Sequence, residues 1–356
     1  MSREAVLITG GAGFVGSNLA IRYRERHPGV RVVALDNLKR RGSDLNIPRL
    51  RQAGVEFVHG DIRNREDLPE HDVDLILECS AEPSVLSGYG GRPDYLINTN
   101  LVGTLNCLEF ARARRADFIF LSTSRVYSIR TLSDLRYREE EKRFVLSGEQ
   151  PHPGASAAGI AEDFPIRGPR SLYGATKLAS ELFIEEYRAA YGLRAVVNRC
   201  GVIAGPWQMG RVDQGVFALW VARHHFGGEL DYIGYGGSGK QVRDLLHIDD
   251  LFELVDLQAQ RPGLFDGRTL NVGGGPQTSL SLLETTELCQ RITGRRIRIR
   301  REPEQRPADV PIYISDHRKA TDLCGWRPTR SAGRTLSDVH EWIRENEPLV
   351  REIFMA

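Results

Sequence analysis

Short β-branched apolar runs alternate with segments of helical period through the first two hundred residues. Residues 5–9, 31–35, 55–58, 74–77, 118–122 and 195–198 each read as a strand buried on both faces. Between them, residues 14–26, 100–114 and 173–191 place apolar side chains three and four apart, the spacing of an amphipathic helix. This alternation predicts an α/β fold of the doubly wound kind, a parallel sheet covered on both faces. Residues 129–170 break the pattern with a charged run at 136–143 and a Pro/Gly/Ala-rich tract at 150–159. That length is unusual for a simple connection, so a lid or binding-loop insertion competes evenly with a solvated insertion of no role. After residue 198 the texture shifts. Residues 201–239 read as loops with a helix near 215–224, and 244–257 and 280–293 as helices.

Composition narrows this picture only slightly. The 356 residues carry 41% apolar and 27% charged side chains with a formal net charge of +1, which gives no global pull toward nucleic acid or an anionic membrane. The five cysteines are scattered and form no C-x-x-C pair. They predict buried thiols in a reducing cytosol and neither a disulfide framework nor a zinc site. No metal is assigned. His224-His225 lacks the spacing for one. The apolar stretch 5–21 contains four glycines and lacks the basic start and cleavage pattern of a signal peptide.

Three motifs carry chemistry. The first strand runs into Gly10-x-x-Gly13-x-x-Gly16 and then a helix, the arrangement that brings backbone N–H groups against a pyrophosphate. Asp36 ends the next strand, twenty positions after Gly16, where a carboxylate can bind ribose hydroxyls and repel a 2′-phosphate. NAD is the expected cofactor. Lys39, Arg40 and Arg41 follow closely and leave NADP open.

The second motif is Tyr173-x-x-x-Lys177, on one face of a predicted helix. An ordinary phenol titrates near pH 10, too high for an efficient base, and an ammonium one turn away favours the phenolate. Third, Thr123 follows the strand at 118–121, at the carboxyl end where a doubly wound sheet binds ligands. It can hydrogen-bond an alcohol undergoing oxidation. Gly234-x4-Gly239-Lys240 nearly spells a phosphate-binding loop, but Gln241 replaces the Ser/Thr that would hold magnesium. Alternating Arg296, Arg298 and Arg300 read as a solvated strand edge.

Together with Asp36-Asn37, Asp61-Ile62 and Arg243-Asp244, these motifs resemble the extended short-chain dehydrogenase/reductases that modify nucleotide sugars, over essentially the whole chain. Residues 36–42, Asp213-Gln214-Gly215, residues 239–244, 271–274 and 279–284 resemble in particular the members that invert C2 of a CDP-linked sugar. The resemblance implies an NAD-binding Rossmann domain of residues 1–200 plus about 243–272. A smaller, interleaved substrate-binding domain of 201–242 and 273–356 completes it, with the 129–170 insertion as a candidate lid. It implies that Gly10, Gly13, Phe14, Val15, Asp36, Asn37, Lys39, Arg40, Asp61, Ile62, Ser80, Ala81, Asn100, Tyr173 and Lys177 line the cofactor. It further implies that Ser124, Arg125, Gln214, Arg243 and Arg306 meet the substrate, the guanidinium forks suiting a diphosphate. A homodimer or dimer of dimers, without nucleic acid or membrane, is the implied assembly.

The relatives that dehydrate nucleotide sugars carry Asp-Glu directly after the threonine. Here Ser124 and Arg125 stand there, which disfavours water elimination. The expected reaction is epimerisation of a nucleotide-diphosphate sugar. Tyr173, Thr123 and Lys177 handle the hydroxyl proton, NAD takes the hydride, and the hydride returns to the other face of a keto-sugar. Other dehydrogenase or decarboxylase chemistry, 4-epimerisation, a non-nucleotide alcohol substrate or a silent NAD(P) sensor are the alternatives.

Overall fold

The computed structural model describes residues 3–211 and 214–355, so Asp213 lies outside the described residues. Two compact units are distinguished. The first comprises Met1–Thr123, Leu172–Arg199 and Phe252–Leu270; the second comprises Ser124–Ser171, Cys200–Leu251 and Asn271–Ala356. Residues 124–171 and 243–251 therefore group with the second unit, where the sequence reading assigned them to the first.

The first unit is built on β1 (Ala5–Thr9), β2 (Arg31–Asp36), β3 (Glu56–His59), β4 (Leu75–Glu78) and β5 (Asp117–Thr123), with helix α1 (Phe14–Arg26) after β1. The seven-stranded sheet runs Thr269–Val272, Ala195–Cys200, β5, β4, β1, β2, β3. The pairs β1–β2, β2–β3, β1–β4 and β4–β5 are parallel. Strand order reverses at β1, with β2 and β3 on one side and β4 and β5 on the other. A crevice for ligands opens at such a switch point, off the carboxyl ends of the strands. Leu7, Val33, Leu35, Ile76, Phe118 and Phe120 form one apolar face and pack against Cys107, Leu108, Ala111 and Ile184 from the covering helices. Removing this area from water is what holds the layers together.

In the second unit, strands Val202–Ala204, Val242–His247, Ser279–Ser281 and Ile312–Tyr313 form a mixed sheet. Beside it the helices Val216–Phe226, Leu282–Thr293 and Ala332–Glu345 pack together. Ser281 opens Leu282–Thr293 with a capping box, its hydroxyl accepting the Glu284 N–H while the Glu284 carboxylate accepts the Ser281 N–H. The periodicity at 244–257 predicts one helix. Residues 244–247 instead belong to a strand, and the helix is Ile248–Gln260. The cause is non-local: Asp244 is fully buried, and its carboxylate accepts the N–H groups of Gly275 and Ser315, 31 and 71 residues away.

The 129–170 segment holds a short helix and two hairpins, Tyr137–Glu139 with Phe144–Leu146 and Ala155–Ser156 with Gly159–Ile160. It is fastened to the rest of its unit. Phe144 N–H donates to the Lys240 carbonyl and Ile160 N–H to that of Ile314, while Phe144, Leu146, Ile160 and Phe164 are buried. The near phosphate-binding loop at 234–240 leads into the strand Val242–His247 rather than a helix. Ile299–Glu302 pairs in parallel with Leu230–Ile233, so of the alternating arginines only Arg300 lies in a strand; Arg296 and Arg298 precede it, and all three are exposed. Among the described residues no helix is long and apolar enough to cross a membrane.

Candidate active site

The turn after β1 is closed by the Gly13 N–H donating to the Gly10 carbonyl at 3.0 Å, and Ser17 N–H continues the ladder to Gly13. Gly10 has φ +62°, and a Cβ there would lie 2.9 Å from the Cys79 carbonyl oxygen. At Gly16 a Cβ would lie 2.2 Å from the Gly10 carbonyl oxygen. Only glycine lets β1, its turn and the first turn of α1 approach this closely. Gly13 is the N-cap and brings no side chain to the helix, so the amides at Phe14 and Val15 face outward without a side-chain cap. That is a cradle for an anion at a helix N-terminus.

Asp36, at the end of β2, closes the next side of the cradle. Its carboxylate accepts the N–H of Ala12 at 3.1 Å and of Leu38 at 2.8 Å. Burial pushes its carboxyl above the usual range, and the N–H groups of Leu38, Ala12 and Gly13 act against that. Asn37 donates to Asp61 at 2.9 Å and accepts the Lys39 N–H at 3.0 Å. The Lys39 ammonium lies 5.6 Å from the centre of the Tyr95 ring, and Arg40 is half-buried beside it. Burial raises Asp61, but hydrogen bonds from Arg63 and Asn37 outweigh it and hold the carboxyl at about 2. Ile62 is buried.

Asn100, fully buried, clamps the loop after β4. Its amide oxygen accepts the Glu82 N–H at 2.8 Å and its amide nitrogen donates to the Glu82 carbonyl at 3.1 Å. This fixes the backbone beside Ser80 and Ala81. The glycine turn, the uncapped helix and the Asp36 carboxylate together fit a dinucleotide.

Tyr173 and Lys177 sit one turn apart near the start of the helix Leu172–Tyr191. Both are buried, Tyr173 at 9% and Lys177 at 1% exposure. Thr123 is the last residue of β5 and is buried as well. All three belong to the same unit as the glycine turn. Two buried acids of the same unit are not singled out by any sequence motif. Glu78, the last residue of β4, lies 3.5 Å from the Lys177 ammonium with no exposure. Glu181, one turn beyond Lys177, accepts from the Ser122 hydroxyl and holds Arg199 at 2.7 Å. An acidic residue closing the apolar run at 74–77 was the available signal for Glu78.

The residues expected at the substrate lie in the second unit. Ser124 and Arg125 open the short helix after β5, and Arg125 donates to the Ala308 carbonyl at 3.0 Å. Arg243 bonds Asp309 at 2.7 Å and the carbonyls of Val242 and Val310. Its guanidinium is thus engaged by a carboxylate that a substrate phosphate would have to replace. Gln214 forms a bridge with Arg211, and Arg306 is half-buried. Arg125, Arg243 and Asp309 all surround Tyr235, whose phenol is pushed up by burial.

The parallel sheet with its glycine turn is a Rossmann-type dinucleotide-binding scaffold. The chain belongs to the NAD-dependent epimerase/dehydratase family, whose model matches residues 6–273. It is 30% identical to a CDP-paratose 2-epimerase of Salmonella typhi over 95% of this chain and 98% of that protein. It is 28% identical to a dTDP-glucose 4,6-dehydratase of Xanthomonas campestris, over 98% of this chain and 95% of the relative. A UDP-glucose 4-epimerase of Thermotoga maritima, solved with UDP-glucose, superposes with a TM-score of 0.77 at 27% identity, covering 96% of this chain and 99% of that one.

Proposed function

We propose that the protein epimerises a nucleotide-diphosphate sugar through a transient keto-sugar, with C2 of a CDP-linked sugar as the specific candidate. The observation that carries this reading is the burial of Tyr173 and Lys177 on one helix face, in the unit that also holds Thr123 and the Gly10–Gly16 cradle. Similarity to a CDP-paratose 2-epimerase over nearly the whole length of both chains supports the carbon and the base. Ser124 and Arg125, with no carboxylate between them, support epimerisation over dehydration, which needs an acid and a base there.

When bound, NAD would supply the reversible hydride acceptor that the reaction needs. The Gly10–Gly16 backbone and the Phe14 and Val15 amides would hold its pyrophosphate, and Asp36 its ribose. The Tyr173 phenolate takes the proton of the sugar hydroxyl, and Thr123 shares that hydrogen bond. Lys177 supplies the positive charge that makes the phenol acidic enough. Arg243 and Arg306 are the proposed ligands of the diphosphate, with Ser124, Arg125 and Gln214 toward the sugar. In this reading the first unit binds NAD and the second binds substrate.

Exposed Ile97, Val102, Leu182, Phe183 and Tyr191 mark the outer face of the helices 94–97, 98–102 and 172–191. An apolar face of that extent supports a homodimer formed through these helices. None of the five cysteines is in a disulfide, which fits a reducing cytosol.

The test is incubation with a panel of nucleotide sugars in heavy water. Inversion without deuterium at the inverted carbon supports internal hydride return, and deuterium uptake there would replace this mechanism with enolisation. Tyr173→Phe should lose at least about a hundredfold in kcat with NAD still bound; full turnover by that variant would sink the assignment.

A further inference from the structure

Glu78 is a buried charge that the mechanism above leaves unused. It ends β4 where the strand order reverses. Register places Thr9, Glu78 and Phe120 side by side on β1, β4 and β5, so their side chains leave one face of the sheet. Lys177 descends onto that row from the helix Leu172–Tyr191. Its ammonium lies 3.5 Å from Glu78 Oε2 and 4.4 Å from the centre of the Phe120 ring. The Thr9 hydroxyl donates to Glu78 Oε1 at 3.5 Å. Glu78 is 0% and Lys177 1% exposed, so water screens neither charge. Among the described residues no hydrogen bond reaches Oε2, which leaves the Lys177 ammonium as its counter-charge.

We propose that Glu78 is a positioning residue for the proton transfer, a counter-carboxylate that holds the Lys177 ammonium and sets how strongly it acidifies the Tyr173 phenol. This rests on the Tyr173–Lys177 reading of the site. One ammonium faces two potential anions, a carboxylate below it and a phenolate one helical turn away. It cannot fully balance both in a dry site, so Glu78 and Tyr173 are coupled: ionising one raises the cost of ionising the other. The Glu78 carboxyl therefore holds a proton more tightly while Tyr173 is ionised and less tightly once the phenol is re-formed.

The other groups facing Glu78 leave this coupling intact. Thr9 from β1 is neutral, and the Ser80 N–H favours the carboxylate weakly. Cys107, from the helix Gly103–Arg114, is held as a neutral thiol by burial and by Glu78 itself. Burial pushes the Glu78 carboxyl above the usual range while Lys177 pulls it down. That direction keeps its proton available above ordinary carboxylate pH.

The chain contains only five lysines, so a lysine-labelled holoprotein gives a sparse carbon-13 spectrum in which Lys177→Arg identifies one signal. The expected result is a step in the Lys177 signal as pH rises through and beyond the ordinary carboxylate range, absent in Glu78→Gln. The second readout is the ultraviolet phenolate titration of the holoprotein minus that of Tyr173→Phe. Glu78→Gln should move its midpoint to lower pH by about one unit, and Glu78→Asp should bring it back toward the parent. The acid limb of kcat should move the same way with KM little changed.

A Lys177 signal flat across that range in the parent protein overturns the proposal, and that measurement stands even where Glu78→Gln does not fold. An unmoved phenol midpoint in a folded Glu78→Gln overturns it too. Neither spectroscopic readout needs turnover, so failure of the epimerase reading is seen separately.

Discussion

Gly16→Ala tests the physical basis of the cofactor cradle. In an ordinary helix this change is favourable by about 1 kcal/mol, because alanine has less backbone entropy to lose. Here the added Cβ would sit 2.2 Å from the Gly10 carbonyl oxygen, 2.8 Å from its carbon and 2.9 Å from Gly11 Cα, where ordinary contact begins at 3.4 Å. Every obstructing atom is backbone, so no side chain can swing aside. The turn must shift by about an ångström, the difference between 2.2 and 3.4 Å.

Such overpacking costs about 1–3 kcal/mol, which exceeds or offsets the helix gain and displaces the amides aimed at the pyrophosphate. Loss of about 1.4 kcal/mol of binding is tenfold in affinity, so NAD should bind at least about tenfold more weakly. Calorimetric titration with NAD and thermal unfolding with and without it measure both terms. Gly29→Ala is the control, since nothing lies within 4 Å of a Cβ there. A Gly16→Ala protein with parental NAD affinity and unfolding temperature would refute the close-approach account.

Two further outcomes are expected. Asp61, held at about 2 against an ordinary 3.8, stabilises the fold above its unfolded value and loses that contribution as pH falls through about 2. Stability measured by denaturant titration should fall between pH 4 and pH 2, and less steeply in Asp61→Asn; identical slopes would discount the Arg63 and Asn37 contacts. Charge on the exposed apolar face, as in Leu182→Arg with Phe183→Asp, should convert a dimer to a folded monomer in sedimentation velocity, and an unchanged assembly would move the interface elsewhere.

The strands and helices of the first unit were legible because their signals are local. A buried parallel strand is a continuous apolar run, and 5–9 and 14–26 coincide with β1 and α1. The glycine spacing, Asp36 and Tyr173-x-x-x-Lys177 were legible for a related reason: each is fixed by the geometry of a turn or of one helical face.

What the tertiary structure alone decided involves partners far apart in sequence. The strand at 242–247 is set by Asp244 bonding Gly275 and Ser315, and local periodicity there imitates a helix. The insertion at 129–170 reads from sequence as either a lid or binding loop or a solvated insertion, and its ties from Phe144 to Lys240 and from Ile160 to Ile314 are not visible there. Arg243 looked like an open phosphate ligand, and Asp309, 66 residues away, occupies it. Glu78 meets Lys177 only because β4 lies beside β5 under the helix that carries the lysine. Covalent spacing determines which groups share one element; burial and pairing between elements determine which charges must answer each other in the absence of water.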